Sequence, residues 1–411
     1  MSLRQDHDIR LAAPHPHAWR SPWRLLLAAL GSRLAAGRLA IVTPSGARLG
    51  FEGTQPGPAA TLLMRRWRAL RRVLLGGDVG FAEAYMDGDW HSPDLTSLIE
   101  LVARNEDALG NSARGLAPLR ALNRLRHLRR DNTRRGSRRN IAAHYDLGND
   151  FYALWLDPSM TYSAARFDLA GSSLEAAQMA KIDRAAEALG LAGGERVLEI
   201  GCGWGAMAEK LAGRFGCAVT ALTLSREQRD YAAARLERAG LGRKAEITLR
   251  DYRDETGTYD RIVSIEMLEA VGERHWPAYF RALYDRLKPG GTAAIQVITI
   301  ADQRFEAYRR GADFIQRYIF PGGMLPSPKA MLREIAAAGL RCAALETFGA
   351  SYALTLAEWR RRFERAWDEI ARLGFDARFK RMWEYYLAYC EAGFRSGAID
   401  VGLYRIEKPA V

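Results

Sequence analysis

The sequence of 411 residues contains only four cysteines, Cys202, Cys217, Cys342 and Cys390, and they stand far apart. No Cys-x-x-Cys pair or His-rich cluster is present, so we predict no metal site and no disulfide framework. No apolar run approaches the roughly 18 residues that a membrane-spanning helix needs. These absences favour a cytoplasmic protein that is soluble or associates peripherally with the inner face of a membrane.

Lysine is absent from the first third of the chain, where arginine supplies all the basic side chains. Residues 1–140 hold 23 Arg and 12 acidic residues, a net charge of +11, while the whole chain has a net charge of +12. Ten of these Arg lie between Arg114 and Arg139 with a single acid, Asp131. Such a block attracts nucleic acid or an anionic membrane surface, and a solvated linker with no partner is an equally open interpretation.

The pattern of apolar residues divides the chain into three parts. Residues 1–113 are predicted to form a small, mainly helical domain, disordered over 1–20 and helical over Trp19–Leu39, Thr61–Leu75 and Asp94–Leu109. The first helix is amphipathic and basic, so it either packs against its own domain or lies on a membrane. Residues 114–139 form an Arg-rich linker, and residues 140–411 form a catalytic domain.

Predicted strands and helices alternate from about residue 141 onwards. Strands are predicted at Arg196–Ile200, Ala218–Thr223, Ala245–Leu249, Asp260–Ile265, Thr292–Ile300 and Arg341–Thr347, with a last antiparallel edge strand at Ile399–Glu407. Helices are predicted between them, over residues 174–189, 206–215, 225–239, 274–288 and 328–338. This alternation predicts an α/β fold with a doubly wound, mostly parallel sheet and a ligand at the carboxyl ends of its strands.

Three alternating glycines follow the first of these strands, in Glu199-Ile200-Gly201-Cys202-Gly203-Trp204-Gly205. Glycine allows a tight turn there and the close approach of a ligand. The run matches neither the dinucleotide pattern G-x-G-x-x-G nor a phosphate loop with its Lys-Ser/Thr pair. It indicates a site for S-adenosylmethionine (SAM), and the alternative is a glycine-rich turn with no ligand.

Several motifs resemble, in order along the chain, those of the cyclopropane-fatty-acyl-phospholipid synthases. Besides the glycine-rich run they are His144-Tyr145-Asp146-Leu147-Gly148-Asn149-Asp150-Phe151-Tyr152, Met160-Thr161-Tyr162-Ser163, Leu222-Thr223-Leu224-Ser225-Arg226-Glu227-Gln228, Asp251-Tyr252-Arg253-Asp254, Arg261-Ile262-Val263-Ser264, Tyr318-Ile319-Phe320-Pro321-Gly322-Gly323-Met324-Leu325-Pro326-Ser327 and Phe348-Gly349-Ala350-Ser351-Tyr352. The resemblance covers roughly residues 140–407. It implies the seven-stranded sheet of class I SAM-dependent methyltransferases and an enzyme that acts on cis double bonds of phospholipid acyl chains.

The resemblance also implies a set of cofactor contacts. It places SAM against Tyr162, Ser163, Glu199, Gly201, Gly203, Thr223, Gln228, Tyr252 and Ile265. From their positions, Tyr252 is expected to stack on the adenine and Gln228 to hydrogen-bond the ribose or the amino-acid part. Ile265 is expected to cover the adenine or the methyl group.

The residues around the expected base depart from the family pattern. In the family a bicarbonate ion takes a proton after methyl transfer, held by Cys, Glu, His and Tyr side chains and by backbone. Glu269 and Tyr352 match the Glu and the Tyr and are the predicted catalytic residues. Ala164 stands at the Cys position and Gln296 at the His position, so the bicarbonate site is in doubt. Glu269 is predicted to replace bicarbonate as base, while Glu266, where the family usually has Gly, is as readily exposed or ion-paired as catalytic.

The main prediction is therefore the synthesis of cyclopropane fatty acids from unsaturated phospholipid acyl chains. Because the Cys and His equivalents are absent, the alternative is that the same methyl transfer gives methylene- or methyl-branched chains. An alternative of another class is a small-molecule amine N-methyltransferase, whereas RNA methylation and non-catalytic lipid binding are disfavoured. The predicted partners are an anionic phospholipid membrane surface and the unsaturated phospholipid, with no nucleic acid, and the resemblance suggests a homodimer.

Overall fold

A computed structural model describes residues 22–110, 132–134, 136–137, 147–169 and 171–410. The chain forms two compact units, residues 1–116 and 117–411. The predicted disordered segment 1–20, most of the Arg-rich stretch 114–139 and the motif residues 144–146 lie outside the described residues. Within the described ranges, no helix has both the length and the apolar character that a bilayer span requires.

The N-terminal unit combines helices with a four-stranded sheet in the order β2-β1-β3-β4. Its elements are α1 (Pro22–Gly31), β1 (Ala36–Val42), β2 (Arg48–Glu52), β3 (Gln55–Met64), α2 (Arg68–Met86), β4 (Trp90–His91), α3 (Leu95–Arg104) and α4 (Glu106–Leu109). The buried Asn105 joins sheet and helices, because its side chain accepts the N–H groups of Ala35 and Ala36 at 2.7 and 2.9 Å.

Two predicted helices of this unit are wrong in part, because strands occupy some of their residues. The helix predicted over Trp19–Leu39 ends at Gly31, and the helix predicted over Thr61–Leu75 begins only at Arg68. β1 pairs in parallel with β3 and antiparallel with β2. Pairing between strands that are distant along the chain outweighs the helical spacing of leucines in a single segment. The sheet of this unit was therefore missing from the prediction.

The second unit is built on a seven-stranded sheet in the order β10-β11-β9-β8-β5-β6-β7. Its strands are β5 (Arg196–Ile200), β6 (Ala218–Thr223), β7 (Ala245–Leu249), β8 (Tyr259–Ile265), β9 (Leu287–Ile300), β10 (Arg341–Thr347) and β11 (Ile399–Glu407). β5 to β9 run parallel, and β11 is antiparallel to both of its neighbours. The predicted α/β class and mostly parallel sheet are confirmed.

Helices cover both faces of this sheet, as the doubly wound prediction requires. They are α5 (Asn149–Ala153), α6 (Leu174–Leu189), α7 (Ala206–Arg214), α8 (Arg226–Arg238), α9 (Trp276–Arg286), α10 (Asp302–Tyr308), α11 (Pro328–Ala337), α12 (Gly349–Arg365), α13 (Trp367–Arg372) and α14 (Ala377–Arg395). Trp276 and Phe280 of α9 belong to the buried cluster on one face, and Ile182 of α6 and Leu211 of α7 to the cluster on the other. The packing thereby leaves the carboxyl ends of β5 to β8 as the place for a site.

The last strand lies inside the sheet, not at its edge as predicted. β11 is hydrogen-bonded to β9 on one side and to β10 on the other, so β10 forms the edge. Val401, Tyr404 and Ile406 of β11 are buried, which an edge position would not require. The antiparallel direction of this strand is confirmed.

Candidate active site

The glycine-rich run makes a tight turn at the carboxyl end of β5. Gly201, Gly203 and Gly205 have positive φ angles of 84°, 51° and 85°, a region that side-chain-bearing residues rarely adopt. A Cβ atom at Gly201 would lie 2.9 Å from Cγ of Met267, whereas one at Gly203 would meet nothing within 4 Å. The turn therefore needs glycine, and it leaves open space above Gly203 in which a ligand fits against the backbone.

The predicted cofactor residues lie at neighbouring strand ends. Glu199 is the penultimate residue of β5, Thr223 ends β6 and Ile265 ends β8, while Tyr252 follows β7. Because β8, β5, β6 and β7 are adjacent and parallel, the structure brings these residues to one edge of the sheet.

Thr223 and Gln228 are held to each other at this edge. Both are buried, and the hydroxyl of Thr223 donates to Oε1 of Gln228 at 2.9 Å. This bond uses the amide oxygen of Gln228 and leaves its NH2 group as the donor for a ligand.

Glu199 and Tyr252 are enclosed by their surroundings to different degrees. Glu199 is buried, its Oε2 has no hydrogen-bond partner among the described residues, and burial raises the pKa of its carboxyl to about 8. Tyr252 is partly buried, with its ring centroid 5.5 Å from that of Tyr279, and burial raises its pKa to about 12. A cationic ligand group beside the orphaned oxygen of Glu199 would favour its ionised form and supply the missing partner, and the uncharged phenol of Tyr252 offers a face for stacking.

Tyr162 and Ser163 lie on a segment that other elements hold in place. The hydroxyl of Tyr162 is 2.8 Å from that of Tyr386 on α14, and the Tyr162 ring centroid is 5.2 Å from that of Trp359 on α12. Gln178 of α6 donates from Nε2 to the carbonyl oxygen of Ser163 at 2.9 Å. Because the neighbours of this segment come from both the α6 face and the C-terminal helices, its backbone is fixed where a cofactor would meet it.

A carboxylate from Glu266 occupies the centre of the site. Its Oε1 accepts the backbone N–H of Ala164 at 2.8 Å and Nε2 of Gln296 at 2.7 Å. Its Oε2 accepts the hydroxyl of Tyr352 at 2.7 Å. Two of these three donors belong to Ala164 and Gln296, which stand where the family has its Cys and His ligands for bicarbonate. Glu266 is thus neither exposed nor ion-paired, and its own carboxylate takes the donors that a bicarbonate ion would need, so bicarbonate does not fit here.

The backbone of Glu266 shows how strongly this arrangement is determined. Its φ angle is 49°, in the left-handed region that favours glycine. A non-glycine residue in that conformation costs about 1–3 kcal/mol and persists only when its surroundings hold it. The three hydrogen bonds of the carboxylate are the contacts that do so here.

The neighbouring carboxyl group of Glu269 is in a different state. Its Oε1 accepts the N–H of Ile298 at 2.6 Å, and its buried Oε2 has no hydrogen-bond partner among the described residues. Burial and the charge of Glu266 raise the pKa of Glu269 to about 8. Burial also raises the pKa of Glu266, and hydrogen bonds from Tyr352, Ala164 and Gln296 offset part of that rise. The three donors therefore favour the ionised form at Glu266, whereas burial and the neighbouring charge favour the protonated form at Glu269.

Aromatic rings pack around Tyr352, the phenol that donates to Glu266. The ring of Tyr352, whose hydroxyl Glu266 binds, lies 4.5 Å from Phe394 and 6.1 Å from Trp359 between centroids. Burial raises the pKa of Tyr352 well above its usual value, so the phenol keeps the proton that it donates. Aromatic faces attract cations, and together with a carboxylate they suit a reaction that develops positive charge.

Most of these residues can be identified from sequence motifs, but their arrangement cannot. The motifs mark Glu266 only as an unusual acid, and they do not mark Gln178 or Lys181, two buried polar residues of α6. Their signal was available, since a Gln and a Lys three residues apart interrupt the apolar face of a predicted helix.

Comparisons with known proteins point to one family. The family model for mycolic acid cyclopropane synthetase matches residues 132–403. The tuberculostearic acid methyltransferase UfaA1 of Mycobacterium tuberculosis is 46% identical over 364 residues, which are 85% of this chain and 84% of that protein. The cyclopropane-fatty-acyl-phospholipid synthase of Escherichia coli (strain K12) is 36% identical over 376 residues, 90% of this chain and 92% of that protein.

A solved structure gives the same result at the level of the fold and the cofactor. The crystal structure of mycolic acid cyclopropane synthase CmaA1, complexed with S-adenosylhomocysteine (SAH) and CTAB, superposes with a TM-score of 0.63 at 32% identity. The match covers 66% of this chain and 98% of that one. The seven-stranded sheet and the open space above Gly203 agree with a site for SAM.

Proposed function

This chain is a SAM-dependent methyltransferase that belongs to the cyclopropane-fatty-acyl-phospholipid synthase and mycolic acid methyltransferase family, and we propose that it makes methylene- or methyl-branched acyl chains. The acceptor is the cis double bond of an unsaturated phospholipid acyl chain. The observation that carries the proposal is the Glu266 carboxylate among the donors of Ala164, Gln296 and Tyr352. The similarity to a tuberculostearic acid methyltransferase supports a branched product over a ring.

The residues at the strand ends hold the cofactor, which supplies a methyl group from its positively charged sulfonium. Gly201 and Gly203 let the backbone approach it, and the orphaned Oε2 of Glu199 accepts from its ammonium group. An alkene is a weak nucleophile, so the chain must place it close to the methyl group and exclude water. The rings of Tyr352 and Trp359 face the region where positive charge then develops on the acyl chain.

The proton that the acyl chain loses goes to Glu266. A new bond forms between the methyl carbon and one alkene carbon while the bond from that methyl to the sulfonium sulfur breaks and SAH is left, so that the positive charge passes to the neighbouring alkene carbon. Loss of a proton from the new methyl group at this stage closes a cyclopropane ring. A hydride shift from the methyl-bearing carbon to the cation, followed by loss of a methyl proton, gives a methylene group instead. In both cases one proton leaves and a carboxylate accepts it.

The hydrogen bonds on Glu266 favour the second outcome. Burial raises the pKa of Glu266, but its three donors stabilise the ionised carboxylate, so it takes a proton more slowly than the same buried carboxylate would without them. A slower proton transfer gives the hydride shift time to form the more substituted cation. We therefore assign the base to Glu266 and not to Glu269, and we place branching ahead of cyclopropane synthesis.

The product of labelled methyl transfer tests this function. The full chain is incubated with SAM that carries a trideuterated methyl group and with vesicles of cis-monounsaturated anionic phospholipid. Acyl esters analysed by mass spectrometry and carbon NMR are expected to contain either an olefinic CD2 group, from a methylene branch, or a CD3 group attached to an olefinic carbon, from a methyl branch. A ring product with two deuteriums would contradict branching, and lipid without label would contradict the lipid substrate and favour an amine acceptor.

An anionic membrane surface is the proposed location of the reaction. Residues 1–140 carry a net charge of +11, and each basic residue near such a surface contributes about 1 kcal/mol of attraction. Salt screens exposed charges over roughly 10 Å at 0.1 M. We expect the affinity of the full chain for anionic vesicles to fall at least about tenfold between about 0.05 and 0.5 M salt, measured by cosedimentation.

Vesicles of zwitterionic phospholipid are the control for this measurement. They should bind weakly at every salt concentration, because they lack the surface charge that attracts arginine. Binding to anionic vesicles that does not change with salt would count against the proposal.

A further inference from the structure

Lys181 is a buried cation whose role the proposed reaction does not explain. It lies on α6 with 4% of its surface exposed, and its Nζ donates to Oγ of Ser163 at 2.9 Å. This is its one hydrogen bond to the described residues, although an ammonium group has three donors. A buried charge with unused donors is costly unless another group pairs with it.

The bond from Lys181 also sets what Ser163 does. Since an ammonium group only donates, the Ser163 hydroxyl accepts from it and keeps its own proton for another acceptor. Gln178 fixes the carbonyl oxygens of Thr161 and Ser163, so the hydroxyl is held in position. Two donors, one charged and one neutral, therefore remain for an anionic group at this point.

A second buried polar group lies at the same edge of the sheet. Glu199, the penultimate residue of β5, has a buried Oε2 with no partner among the described residues. The charges of Glu266, Asp157 and Glu199 favour the protonated form of Lys181, although burial lowers its pKa to about 8. A ligand end that carries both an ammonium and a carboxylate would satisfy Glu199 and Lys181 together.

We propose that Lys181 is a further residue of the cofactor site and that, beside Ser163, which the resemblance already places against SAM, it binds the carboxylate of the amino-acid end. Ser163 donates its hydroxyl proton to that carboxylate, and Lys181 supplies the positive charge. Glu199 takes the ammonium group of the same end. The subsite thereby selects an intact amino-acid end, and it does so whether the lipid product is branched or cyclic.

Binding of two ligands without lipid tests the subsite. The probes are SAH and decarboxylated SAH, which keeps the ammonium group but lacks the carboxylate, and isothermal titration gives both affinities for the full chain. The unchanged protein is expected to prefer SAH by about 10- to 100-fold, the size of a hydrogen-bonded charge contact. Lys181→Met should remove most of this preference by lowering the affinity for SAH. Decarboxylated SAH should bind equally well or better, because the positive charge of Lys181 no longer repels its ammonium group.

Two further variants serve as controls that distinguish loss of the subsite from a purely structural effect. Lys210→Met removes a similarly enclosed lysine, which pairs with Asp183 at 2.6 Å on the neighbouring α7, and it should leave the preference for SAH unchanged. Lys181→Arg keeps the charge and should restore part of the preference, which keeps the test decisive if Lys181→Met does not fold. Equal losses of affinity for both ligands in Lys181→Met, or an unchanged preference, would overturn the proposal.

Discussion

Glu266→Gln is expected to lower the rate of lipid methylation by about 10²- to 10⁴-fold, the usual contribution of a general base. The amide has nearly the shape of the carboxylate, but it carries no charge and cannot accept the proton. The Tyr352 hydroxyl and the Ala164 and Gln296 N–H groups all donate to this side chain. The NH2 group of a glutamine would therefore face another donor and could not accept its hydrogen bond. Single-turnover transfer of labelled methyl to vesicle lipid measures the effect, and the affinity for SAH should stay the same.

Glu269→Gln is the matched control for this result. The pKa of Glu269 is raised to about 8, so at neutral pH it is already protonated and a glutamine resembles it. Its contact with the N–H of Ile298 needs only an accepting oxygen, which the amide retains. We expect the rate to stay within about threefold of the unchanged protein, as for a residue outside the proton transfer. A large loss in Glu269→Gln with a small one in Glu266→Gln would reverse the assignment of the base.

The combined change Ala164→Cys, Glu266→Gly and Gln296→His is expected to convert the product from a branched chain to a cyclopropane. It restores the family's side chains at all three positions and vacates the place of the Glu266 carboxylate. Glycine suits position 266, because the φ angle there is 49°. Re-placing a base by about 1 Å is enough to redirect a proton transfer. Ring synthesis should then depend on added bicarbonate, measured by NMR of the acyl esters.

The double change Ala164→Cys and Gln296→His, with Glu266 retained, is the control. Its carboxylate still fills the centre of the site, so its activity should not respond to bicarbonate. Substrate with deuterium on both alkene carbons shows whether the hydride shift has occurred, because a shift places both deuteriums on one carbon. If the triple variant forms no ring at any bicarbonate concentration while SAH still binds, Glu266 does not control the product.

Much of the catalytic unit could be predicted from local patterns. β5, β6 and β7 begin and end at the predicted residues, because each is a short apolar run closed by glycine or polar turn residues. The N-terminal sheet and the inner position of β11 could not be predicted in this way. Both depend on which distant segments pair, and a single strand's sequence does not record its partner.

The features of the site also divide into those that are local in the sequence and those that depend on tertiary packing. The tight turn at Gly201, the strand ends that carry the cofactor residues, and the exchanges at Ala164 and Gln296 are all visible in the order of residues, because a turn and a motif are local properties. Which of two nearby acids accepts three hydrogen bonds is not a local property. Ala164, Gln296 and Tyr352 come from segments far apart in the chain, and their donors meet only when β8, β9 and α12 are packed together. The tertiary structure alone therefore decided that Glu266 receives three donors, which favour its ionised form, and that Glu269, three residues away, has an enclosed Oε2 and a raised pKa.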